Sequence, residues 1–134
     1  MNKNFRLHLL ILLLFTLPIV SIADDDFSNE VLLKSKLDRI SDTEVIVSRV
    51  IVPPNMTLPT HWHPGEEFAY VLSGTVSLSL EGEEALVLKV NELGEVPLKK
   101  IHSATAGSDG VELIVFRVHE IGQPERVLVL DNDG

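Results

Sequence analysis

Residues 61–74 read HWHPGEEFAYVLSG. The first seven positions hold two of the five histidines of the chain and two glutamates, which poses a choice between a metal site and a polar loop. On a β-strand side chains alternate, so His61 and His63 project to one side with Trp62 on the other. Two imidazoles one pleat apart can chelate a single ion. A carboxylate on the next strand, beyond a turn at Pro64 and Gly65, can add a third ligand, and both Glu66 and Glu67 stand in position to offer one. A remote histidine, His102, follows VPLKK (96–100) at the start of another expected strand and can close the site.

Outward from this stretch, short runs of Val, Ile and Leu are separated by Pro, Gly, Asn and Asp about every ten residues, the spacing of an all-β sandwich or barrel. Strands are expected over 31–37, 44–52, 68–72, 75–80, 85–90, 101–106 and 111–119, with no long helix. TVSLSL (75–80) alternates strictly, with Val76, Leu78 and Leu80 on one face. VELIVFRVHE (111–120) is apolar on both faces and is expected to be covered on both. Pro53 and Pro54 end a strand because proline lacks the N–H that a ladder needs, and EGEE (81–84) and GSDG (107–110) are read as turns.

The first residues have a different character. Residues 1–23 carry Lys3 and Arg6, an apolar run from Leu9 to Val20 and a small-residue end, Ser21-Ile22-Ala23. That order is a secretory signal peptide, and its apolar run falls short of the about 20 residues that span a bilayer. The expectation is an exported protein, periplasmic or secreted, with no stable membrane anchor and with residues 24–134 forming one domain. The chain has 11 Lys and Arg against 20 Asp and Glu, a formal net charge of −9, and loss of Lys3 and Arg6 makes the mature form more acidic still. Electrostatic attraction to nucleic acid or anionic lipid is therefore not expected, and the expected partner is small or cationic, a small-molecule ligand or substrate. With no cysteine, the domain must stand on its hydrophobic core alone.

The long-range pattern is more specific than one His-x-His pair. It resembles the cupin family, whose first motif is G-x5-H-x-H-x3-E-x6-G: His61, His63, Glu67 and Gly74 fall at these spacings, with Asn55 in place of the first glycine. The second motif, G-x5-P-x-G-x2-H-x3-N, is similar to NELGEVPLKKIHSATA (91–106), where Pro97 and His102 match while Asn91, Lys99 and Ala106 replace the two glycines and the asparagine. The resemblance selects Glu67 over Glu66. It implies an antiparallel jelly-roll β-barrel, a single cupin domain, holding a metal by His61, His63, Glu67 and His102.

Such a nitrogen-rich set suits one divalent transition metal, and Fe, Mn, Ni, Cu and Zn all fit. The bland alternative is a polar cluster at the barrel mouth without a metal. Other polar residues receive structural readings: His119 as a surface or capping histidine, Arg49 in a strand-end salt bridge, Tyr70 on the outer face in packing or a dimer contact, Lys99 and Lys100 as solvated lysines. Two functions compete. One is a metal-dependent enzyme acting on a small carboxylate or enolisable substrate, with Glu67 able to loosen and take a proton. The other is a non-catalytic barrel that binds a small ligand or a metal. No residue receives a catalytic role from the sequence, and a homodimer is expected because a small barrel leaves an apolar outer stripe to be covered.

Overall fold

Alternating Val, Ile and Leu make strands because a branched side chain packs well on a pleated, half-buried surface. The computed structural model describes residues 26–130; the expected leader, 1–23, lies outside them, as does the tail from 131. Eight strands follow one another: β1 Ser28–Lys36, β2 Thr43–Val52, β3 His61–Trp62, β4 Gly65–Leu80, β5 Leu86–Lys89, β6 Leu93–Val96, β7 His102–Glu120 and β8 Val127–Leu128. Among the described residues there is no helix. Every pairing is antiparallel: β7 pairs with β2, β3 and β4, while β4 also pairs with β5 and β6. The sheet curls into the jelly-roll barrel that the motifs imply.

The even-numbered residues of β2 face inward, so Ile46, Val50 and Val52 are buried beside Val71 and Val76 of β4 and Val111, Leu113 and Val115 of β7. Burying each such side chain stabilises the fold by about 1.5–3 kcal/mol before entropy is set against it. This core lines the barrel behind the histidine stretch.

Two expected breaks are not breaks. Residues 68–72 and 75–80 belong to the single strand β4, and 101–106 and 111–119 to the single strand β7. Their pairing instead shifts register near Gly74, where φ is 73° and which pairs with Val111, next to Gly110, where φ is 74°. A Cβ on Gly74 would collide with the Gly110 carbonyl oxygen. The glycines of GSDG therefore bend a long strand through bulges rather than end it. The short strand β3 is the one to which the expected alternation of His61 and Trp62 belongs, whereas β6 and β8 were not expected, because segments of two to four residues carry too little periodicity to read.

The outward face of β7 also differs from expectation. Ile114, Phe116 and Val118 lie beside Arg49, Val47 and Val45 of β2 and beside Tyr70, Phe68 and Glu66 of β4. Among the described residues this row is only partly covered, and Phe116 stays 40% exposed. A single curled sheet buries only its concave side, so apolar residues on the convex side mark a surface rather than a second core.

Candidate metal centre

His61 and His102 are directly opposed partners of β3 and β7, and His63 follows just past the end of β3. All three are buried. The ring centroids lie 4.2 Å apart for His61 and His102, 4.8 Å for His61 and His63, and 5.1 Å for His63 and His102. One ring nitrogen from each lies within 4.8 Å of the others. Three bonds of about 2.1 Å to one ion require separations of at most about 4.2 Å, so binding would draw the widest pair together by about half an ångström.

The other ring nitrogens define the protonation pattern. Nδ1 of His61 lies 2.7 Å from the Pro59 carbonyl oxygen, Nδ1 of His63 2.5 Å from that of Glu125, and Nδ1 of His102 2.9 Å from that of Lys100. A carbonyl only accepts, so each Nδ1 donates, and in a neutral ring the lone pair is then left on Nε2. Burial lowers the pKa of His61 to about 4 and that of His102 as well, against the opposing pull of their backbone carbonyl partners. Both rings are neutral at neutral pH, the form that coordinates a metal.

The carbonyls are held by two pieces of chain. Lys99 adopts φ of 58°, and its N–H donates to the His63 carbonyl at 3.1 Å. This turn carries the Lys100 carbonyl onto His102. Lysine thus occupies a left-handed position where the family motif has glycine, and the turn is retained. At the opposite side β8 pairs with β3, and the Val129 N–H donates to the Thr60 carbonyl. The C-terminal segment is thereby strapped across the site, with the Glu125 carbonyl at His63.

Glu67 lies on the inward face of β4, opposite Arg117 of β7, whereas Glu66 pairs on the outward face. The Arg117 Nε–H donates to Glu67 Oε2 at 2.8 Å. The same oxygen is 3.1 Å from His63 Nε2, although His63 Nε2 lacks an aligned hydrogen bond. Burial would raise the Glu67 pKa, but contact with His63 and the charge of Arg117 outweigh it and hold the carboxyl down to about 2. Glu67 is therefore an ionised acceptor beside the histidines, engaged in this geometry with Arg117.

Arg117 is 7% exposed and was missed by sequence reasoning. Its parity was a usable signal, since it continues the inward series Val111, Leu113, Val115. His119 extends the same series and is 1% exposed, which corrects its reading as a surface histidine. Its Nδ1 lies 2.9 Å from the Glu120 carbonyl and its Nε2 3.2 Å from the Pro124 carbonyl. Arg49 makes the expected salt bridge, to Glu112 at 2.7 Å. Tyr70 faces outward and donates to Asn91 Oδ1. Lys100 pairs with Glu83 at 2.8 Å, while Lys99 is exposed.

A cavity of about 160 Å³ opens from the histidines into the barrel. Its far walls are apolar, including Val50, Leu78, Leu88 and Leu113, and its polar end holds the three histidines with Glu67, Arg117 and Glu125. Three imidazoles converging in a buried pocket, one with an Nε2 that has no aligned hydrogen bond, are a donor set able to hold a divalent transition metal.

Residues 48–119 match the family model of the cupin domain, and the chain belongs to the cupin family. Among solved structures it is similar to the DMSP lyase DddQ from Ruegeria pomeroyi DSS-3, with a TM-score of 0.66 and 20% identity over 81% of this chain and 54% of that one. It is also similar to a cupin superfamily protein from Desulfitobacterium hafniense DCB-2, with a TM-score of 0.60 and 17% identity over 78% of this chain and 90% of that one. A variant of the oxalate decarboxylase OxdC from Bacillus subtilis matches with a TM-score of 0.53 and 20% identity over 63% of this chain and 23% of that one. The chain spans about half the length of the Ruegeria lyase. At these identities the likeness is one of fold. A search of curated protein sequences finds no match.

Proposed function

We propose that this protein is an exported, metal-dependent cupin enzyme that acts on a small organic carboxylate or enolisable substrate. His61, His63, His102 and Glu67 are its ligands to one divalent Fe, Mn, Ni, Cu or Zn ion. The observation that carries the reading is the set of three Nδ1–carbonyl contacts, because a ring fixed through Nδ1 is oriented and its Nε2 made more basic before any ion arrives. A bound ion would supply a Lewis acid to polarise a carbonyl or carboxylate oxygen.

The chain's own residues supply the remainder. The apolar walls exclude water and strengthen every charge interaction at the polar end. Glu67 is ionised beside His63 and Arg117, and on loosening from these partners its carboxylate can take a proton. Glu125 brings a second carboxylate to the same cavity, and a further acid or base facing the cavity favours an enzyme over a passive binding barrel. Two of the fold neighbours are named as a lyase and a decarboxylase, which supports chemistry of that kind on this scaffold.

Metal-loaded protein should turn over at least one member of a panel of small carboxylates and β-functionalised acids, and chelation should abolish that turnover. Turnover that survives both chelation and the Glu67→Gln change would overturn the reading.

A further inference from the structure

We infer that Arg117 is the anion-recognition residue of the cavity, and that the ligand is a short monocarboxylate of about seven non-hydrogen atoms, the carboxylate included. The inference rests on the reading of this cavity as a substrate site and assigns the chemistry of what enters it.

Arg117, near the C-terminal end of β7, lines the cavity beside the histidines. Its Nε–H is committed to Glu67 at 2.8 Å. Its Nη1 is buried and has no hydrogen-bond partner; Glu125 Oε2 is 3.9 Å from it, beyond hydrogen-bond length. A buried guanidinium nitrogen without an acceptor is costly, and a group that supplies one gains the energy otherwise forfeited. A carboxylate matches the planar fork of a guanidinium better than a neutral oxygen does.

Position adds to chemistry. Glu67 Oε2 touches Arg117 on one side and His63 Nε2, at 3.1 Å, on the other, so Arg117 lies one carboxylate away from the histidine group. Arg117 lines the same cavity as the histidines, so a ligand head there lies beside the guanidinium and meets Nη1 once that nitrogen turns toward it. Charge agrees with this placement. Arg117 and Arg126 offset Glu67 and Glu125 along the cavity wall, and a divalent ion would leave the polar end positive, matched to an anion.

Size and polarity define the rest of the ligand. A cavity of about 160 Å³ compares with the about 150 Å³ apolar cavity that admits benzene, and Val50, Leu78, Leu88 and Leu113 offer the tail no hydrogen bond. A dicarboxylate would have to bury its second charge against these walls, so a monoanion is selected.

The test uses pentanoate and its neutral counterpart pentanamide, titrated calorimetrically into the full chain with and without bound zinc. Wild type should prefer pentanoate by at least about tenfold, the scale of a charge-assisted hydrogen bond. The preference should vanish in Arg117→Gln and shrink in Arg117→Lys, which keeps a charge beside Glu67 and guards against simple misfolding. Elemental analysis of the same samples separates the two ideas. A missing metal with an intact, Arg117-dependent preference would sink the metal reading and leave this inference standing. Equal binding of the two probes by wild type, or an unchanged preference in Arg117→Gln, would overturn it.

Discussion

Lys99 holds φ of 58°, a left-handed conformation that costs a residue with a Cβ about 1–2 kcal/mol. Asn55 and Asn91 share that conformation, at φ of 59° and 69°, at lower cost because asparagine tolerates it. All three stand where the family motifs have glycine, so the substitutions changed the side chain and left the backbone path intact. Lys99→Gly should therefore raise stability by about 1 kcal/mol in a denaturant titration without changing metal content, and a destabilised variant would show that the lysine side chain holds the turn. Protonation acts at the same scale. The folded-state pKa of His61, about 4, lies below its ordinary value of 6.5, so folding favours the neutral ring: that contribution is complete above pH 6.5 and is lost as pH falls toward 4. Glu67, held down to about 2 from 4.5, contributes fully above pH 4.5 and loses that contribution as pH falls through 2. Thermal melts of metal-free protein should show declining stability from pH 6.5 downward, with a smaller decline between 6.5 and 4 in His61→Gln. His61, His63, Glu67 and His102 were legible because their spacing is a one-dimensional pattern. Arg117 and the three Nδ1 contacts were not, since they depend on which residues face each other across strands far apart in the chain.

Among the elements, the long strands β4 and β7 determine where the site sits, and their hydrophobic alternation was readable in all but their length. Continuity through the bulges at Gly74 and Gly110 was not readable, because glycine marks a turn and a bulge alike. Strand β8 is the clearest omission: two residues give no periodicity, yet β8 pairs with β3 and brings the Glu125 carbonyl to His63. This strap acts on the site through ring orientation. Removing residues 125–134 should weaken metal binding by about 10–100-fold, the usual effect of losing an outer hydrogen bond to a ligating histidine. Chelator competition would measure it, and an unchanged affinity would reduce the strap to a passive edge cover.

At the scale of the molecule, the convex face of the sheet presents Phe68, Tyr70, Ile114, Phe116 and Val118 in adjoining rows, with Val45 and Val47 beside them. We propose that a second copy covers this face in a homodimer. A stable pair buries about 800 Å² on each partner. Light scattering should give a dimer for wild type and a monomer for Phe116→Glu, and a monomeric wild type would refute the assembly. Export is likewise proposed from residues 1–23, and protein recovered from its native host should begin at Asp24. The claim on which the others depend is that one divalent ion is held by histidines from β3, its following residue and β7. Elemental analysis after folding with excess metal tests it most directly, with Arg49→Ala as the control because Arg49 lies on the outer face. The account predicts about one ion per chain in wild type and Arg49→Ala, and a sharp loss in His61→Ala and His102→Ala. Wild-type protein without an ion, or equal content in all four, would contradict it.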